Sequence, residues 1–102
     1  MEKREKAWRY RKRIEVDYGQ PGRMRFKGYS GNISLTGIMI RAVRVFGEGT
    51  ILELELRFPE RLVRAKGRVR WAREGSLQLI STGRIGMGIE FLEPPPNLDG
   101  IA

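Results

Sequence analysis

The side chains best equipped for chemistry fall in two short patterns. One is Arg9 and Arg13 within Arg9-Tyr10-Arg11-Lys12-Arg13, and the other is Asn32, Ser34 and Gly37 within Asn32-Ile33-Ser34-Leu35-Thr36-Gly37. A guanidinium fork pairs in bidentate fashion with O6 and N7 on the Hoogsteen edge of guanine, and it grips phosphate in the same way. An asparagine carbonyl accepts from the N1 and N2 donors of that base, and serine adds a hydroxyl. The shared chemistry is recognition of an anionic guanine nucleotide.

Other chemistries lack their residues. The 102 residues include no cysteine and no histidine, which removes disulfides, thiolate nucleophiles, imidazole bases and the common zinc sites. The carboxylates are scattered, and Glu53 and Glu55 occupy alternate positions of a strand pattern, as a solvated face does. The chain therefore reads as a binding protein without a cofactor rather than an enzyme. No apolar run approaches the roughly 20 residues that cross a bilayer, and the charged N-terminus lacks the apolar stretch of a secretory signal, so a cytoplasmic location is expected.

Net charge is +8 and the sequence pI is near 10.6, which points to an anionic partner. Most of that charge sits at one end. Lys3, Arg4, Lys6, Arg9, Arg11, Lys12 and Arg13 face only Glu2 and Glu5, so residues 1–13 form a basic arm. Length and a 40% hydrophobic content suit one compact domain, burying about 60 to 70 per cent of its unfolded surface.

Beyond the arm the chain reads as strands. Ile14, Val16 and Tyr18 alternate with polar neighbours up to the turn Gly19-Gln20-Pro21-Gly22, and Met24 with Phe26, Ile38 with Ile40, and Leu52 through Phe58 repeat the period of two. Val63, Ala65, Gly67, Val69 and Trp71 predict one face of a long strand whose other face is Arg64, Lys66, Arg68 and Arg70. Leu77 to Ile80 is a shorter candidate strand. Met87, Ile89 and Phe91 close the set before Pro94-Pro95-Pro96. Many short antiparallel strands without a ten-residue helix favour a small closed barrel, which leaves no open edge.

Each polar pattern also has a plainer reading. On a strand, Asn32 and Ser34 point one way and Ile33 and Leu35 the other, while Gly37 would permit a positive φ, a bulge or close approach of a ligand. The same residues suit a turn braced by side-chain bonds to the backbone. Arg9 and Arg13 could equally belong to a solvated stripe, with Glu5 and Arg9 spaced as an i,i+4 pair.

Taken in order, the chain resembles the PilZ domain family, bacterial receptors for cyclic di-GMP. The resemblance rests on Arg-x-x-x-Arg, the strand Ile14-Glu15-Val16, Asn-x-Ser-x-x-Gly, Ile38-Met39-Ile40, Gly49 before the Leu52 strand, Val69-Arg70-Trp71 and Gly86-Met87-Gly88-Ile89-Glu90-Phe91. It implies an all-β fold, a small six-stranded antiparallel barrel comprising residues 14–93 between the arm and a Pro-rich tail at 94–102. It further implies that Arg9 and Arg13 hold guanine and phosphate, that Asn32 and Ser34 contact a guanine edge, and that Gly37 keeps the strand end open. Trp8, Arg11 and Lys12 are additional candidate contacts; the family position of Trp8 is linked to the number of ligands bound.

Family members commonly carry a C-terminal helix, which Pro94 to Gly100 would not support, so little or no such helix is expected. A receptor of this family would pass ligand occupancy to an unidentified downstream protein through the arm, in motility, biofilm or exopolysaccharide control. Two alternatives remain. The basic ladder Arg64, Lys66, Arg68 and Arg70 would suit RNA or DNA on a small barrel, though Glu53 and Glu55 lie within cross-strand reach and no cluster of exposed aromatics is evident. A protein-interaction module without ligand is the other.

Overall fold

The computed structural model describes residues 9–82, 85–93 and 95. Among the described residues seven strands appear in chain order: β1 (Arg9–Tyr10), β2 (Glu15–Gly19), β3 (Phe26–Ser34), β4 (Gly37–Arg41), β5 (Ile51–Phe58), β6 (Arg61–Arg73) and β7 (Gly86–Phe91), with a 3-10 helix at Leu77–Thr82 between the last two. Trp8 and most of the Pro-rich tail lie outside the described residues.

All pairings are antiparallel. The order β3-β2-β5-β6-β7-β4 returns to β3, so six strands close into a barrel and β1 adds a seventh strand on β3. The arm thus supplies a piece of sheet as well as charge. β1 and β2 run along the same edge of β3 as one interrupted strand, and Tyr10 anchors the short β1 by packing edge-on to Phe58, with ring centroids 4.9 Å apart.

The alternating apolar residues fill the interior. Val16, Tyr18, Ile33, Ile40, Leu52, Leu54, Leu56, Val69 and Met87 are essentially inaccessible, and an interior of this width is closed by its own side chains. One end of the barrel is sealed by aromatics: Tyr18 and Phe26 both meet Phe46, and the Arg44 guanidinium lies over the Phe26 and Phe46 rings at 5.1 and 5.0 Å. The Tyr18 hydroxyl donates to the Arg44 carbonyl, and burial pushes its phenol up to about 12.

Three expectations from periodicity change. Leu77 to Ile80 is 3-10 helix, not strand; Gly75, packed against Ile85, and Ser76 lead into it, and the Ser76 carbonyl accepts the Leu79 N–H. Met24 precedes β3 and is 71% exposed instead of entering the core. Trp71 leaves the core face altogether: a register shift between Val69 and Trp71 inserts one residue into β6, so Val69 stays inside while the indole turns outward.

The outer face over β2, β3 and β5 is a cross-strand network. Asp17, only 8% exposed, accepts Arg57 Nη2 at 2.6 Å and Nε at 3.2 Å on one oxygen, and Lys27 Nζ at 3.0 Å on the other. Burial raises its pKa, but the hydrogen bonds and charges of Arg57 and Lys27 outweigh burial and hold the carboxyl below the ordinary value of 3.8. A group depressed on folding adds stability above its unfolded pKa and loses it as the pH falls through the folded one. Asp17→Asn is therefore expected to melt below wild type at neutral pH, with the gap closing as the pH drops below 3.8. Circular-dichroism melts from neutral pH into strong acid check this, and a gap that stays constant would refute it.

Candidate functional site

Strands β3, β4, β7 and β6 lie side by side, and their register sets two rows of residues across the outer face. One row runs Asn32, Met39, Gly88, Trp71. The next runs from Arg9 to its partner Ser34, across the β3–β4 turn to Gly37, then to Glu90. Between the rows opens a groove of ≈ 460 Å³. Arg9, Asn32, Ser34 and Thr36 flank one side and Arg70 and Trp71 the other, with Gly37, Met39, Gly88 and Glu90 between them.

Two glycines allow close packing along the groove. A Cβ on Gly88 would collide with the Trp71 indole nitrogen, so the indole lies over that residue. At Gly37 a Cβ would meet the Ile89 carbonyl, which ties this glycine to the close approach of β4 and β7. Its φ is not among the positive values, which belong to Gly22, Gly49 and Gly86. The bulge in this region is in β3 itself, between Ser30 and Asn32.

Ser34 braces the turn. Its hydroxyl oxygen accepts the N–H groups of Thr36 and Gly37 at 3.2 and 3.3 Å and lies 3.1 Å from the Thr36 hydroxyl, the local bonding pattern of a serine-led turn. Asn32 projects outward as an exposed side chain beside it. The two patterns do meet, for Arg9 is directly opposite Ser34.

Arg13 is placed differently. Its guanidinium sits 5.1 Å above the Tyr29 ring, further along the arm and outside the groove lining. Arg11 and Lys12 are exposed on the stretch between, and Trp8 lies outside the described residues. Of the residues anticipated for binding, Arg9, Asn32, Ser34 and Gly37 share one groove.

Thr36, Met39, Arg70, Trp71 and Glu90 join that groove without having been anticipated. Trp71 is 40% exposed, a flat aromatic surface of the kind on which a base stacks. Arg70 Nη1 holds Glu90 at 3.0 Å, so this cation is already paired. Elsewhere on the ladder Arg64 pairs with Glu55 at 3.3 Å, and Glu53 takes Arg25 at 2.7 Å. A larger cavity, ≈ 700 Å³, lies over β5 and β6, but Glu53, Glu55 and Glu93 line it beside Arg25, Arg64 and Lys66. Those carboxylates make it a poor seat for an anion.

Comparison with known proteins agrees with this architecture. The model of the PilZ domain family matches residues 3–100, and the chain belongs to that family. Among solved structures it is similar to the Bacillus subtilis inhibitor of motility, MotI/DgrA, with a TM-score of 0.73 at 21% identity over 97% of this chain. The chain spans 48% of that protein's length. No curated protein matches the sequence.

The contact of Trp71 with Gly88 can be tested by fluorescence. Trp8 and Trp71 are the two tryptophans, so a Trp8→Phe background reports Trp71 alone. Gly88→Ala in that background is expected to lift the indole into water and move its emission to longer wavelength; unchanged emission would contradict the packing.

Proposed function

We propose that this PilZ-domain chain is a non-enzymatic receptor for cyclic di-GMP, and that the groove beside β1 is where the ligand binds. The observation that carries the proposal is the convergence of Arg9, Asn32, Ser34 and Gly37 on one concavity. Arg9 would address O6 and N7 of one guanine while the Asn32 carbonyl accepts from its N1 and N2 groups. Ser34 would turn its hydroxyl proton from the turn toward the ligand. Trp71, held close to the sheet over Gly88, supplies a face for stacking.

Phosphate binding would fall to the arm. Arg13 would leave the Tyr29 ring and take phosphate, and Arg11 and Lys12 would add positive potential along the approach. A cation over an exposed ring is worth only about 0.5–1 kcal/mol, less than a charge-assisted bond to phosphate. The exchange therefore favours the ligand. Trp8, immediately before Arg9, is proposed as a further contact.

Binding would convert occupancy into altered arm contacts. β1 has two residues, so its pairing on β3 is a small element that ligand can stabilise or shift at low cost. A downstream protein would read the arm and the covered groove. We place this receptor in the cytoplasm, as a single domain of arm, barrel and Pro-rich tail. Motility is the setting suggested by the inhibitor of motility it resembles, with biofilm and exopolysaccharide control as other settings for the family. Among the described residues no helix is long and apolar enough to cross a membrane.

Calorimetric titration with cyclic di-GMP tests the proposal. Saturable binding is expected, weakened more than about 100-fold in Arg9→Ala/Arg13→Ala, because two charge-assisted contacts of about 1.5–3 kcal/mol each are lost. GTP and a single-stranded oligonucleotide serve as controls. No heat with cyclic di-GMP, or equal binding of cyclic di-GMP by both proteins, would sink the receptor reading.

A further inference from the structure

We infer that Ser30, which belongs to neither binding pattern, is a positioning residue that sets where Arg9 and Arg13 stand on the barrel. The inference rests on the receptor reading above and adds a residue buried beneath the arm. Ser30 is 2% exposed, on the inward face of β3, where apolar side chains are the rule. Its hydroxyl accepts the Ile14 N–H at 3.0 Å and donates to the Lys12 carbonyl at 3.4 Å. Its own N–H donates to the Ile14 carbonyl at 2.9 Å.

The reason for a hydroxyl here is a mismatch of lengths. Tyr10 pairs with Ile33 and Glu15 with Tyr29, so the arm takes five steps, 10 to 15, where β3 takes four, 33 to 29. One surplus residue must bulge, and a bulge leaves backbone groups that the partner strand cannot reach. Here they are the Ile14 N–H and the Lys12 carbonyl, and the Ser30 side chain supplies the missing acceptor and donor. That surplus falls between Tyr10 and Glu15, overlapping the Arg-x-x-x-Arg stretch. The latch therefore fixes how Arg9, opposite Ser34, and Arg13, over Tyr29, are spaced along β3.

An alanine at this position would leave both arm groups unpaired, or let the bulge migrate and carry Arg13 out of place. The loss would be felt through the arginines. A residue that only stabilises the barrel would act on binding independently of them, and a double-mutant cycle separates the two cases.

The experiment is calorimetry with cyclic di-GMP on wild type, Ser30→Ala, Arg13→Ala and the double variant. Ser30→Ala is expected to weaken binding about tenfold in the wild-type background and by less than about twofold once Arg13 is gone. The same factor in both backgrounds, or none in either, overturns the inference while leaving the receptor standing. Wild type that does not bind sinks the receptor reading, and the inference with it. Should Ser30→Ala fail to fold, amide exchange of Ile14 in the wild type decides: ligand that binds only the latched arm must slow its opening, at least about tenfold near saturation. Unchanged exchange there also overturns it.

Discussion

Strand β3 has to match neighbours on its two edges whose lengths do not agree, and the distinctive features of this side of the barrel stem from that constraint. Over one height of the wall β4 takes three steps, 38 to 41, β3 takes four, 29 to 33, and the arm takes five, 10 to 15. Each layer outward carries one extra residue. The first surplus is absorbed at Gly31, whose missing side chain leaves room for Arg41 and Met39; the second is absorbed between Tyr10 and Glu15 and held by Ser30. Bulges bend the strands that carry them, so the arm tracks β3 without matching it residue for residue.

Charge is organised around the same geometry. On the β2–β5 side the cations are answered by Asp17, Glu15, Glu53 and Glu55 in a network of cross-strand pairs, and the stretch from Arg64 to Arg70 is partly neutralised. Arg9, Arg11, Lys12 and Arg13 take part in none of these pairs, which leaves positive charge beside the groove. A nucleic-acid surface would want the reverse, with the long basic ladder open.

Much of this was legible in the sequence. Alternation located the strands of the barrel, and the meeting of Arg9 with Asn32 and Ser34 was expressed in the order of two motifs and the glycine-rich last strand. Features that depend on register were not. Trp71 comes two residues after Val69, which on an unbroken strand places both on one face; the residue inserted between them resets the phase, and nothing in the local composition marks it. The pairing of Trp71 with Gly88 was the available signal, since a glycine flanked by buried Met87 and Ile89 leaves a gap that a large outer side chain can cover. Ser30 was hidden for the same reason, because a serine in a strand says nothing until the surplus residue opposite it is known. The helix at 77–82 lost to period counting because so short a run of apolar and polar residues fits either structure.

The claim on which everything functional depends is that an anionic guanine ligand lies in the groove between β1 and Trp71. Backbone amide and indole resonances tracked by nuclear magnetic resonance during titration with cyclic di-GMP test it most directly. The account requires saturable shifts at Arg9, Asn32, Ser34, Gly37, Gly88 and the Trp71 indole N–H, with the face around Glu53, Arg64 and Lys66 unmoved. Shifts confined to that second face, or spread evenly over the basic residues, would contradict it.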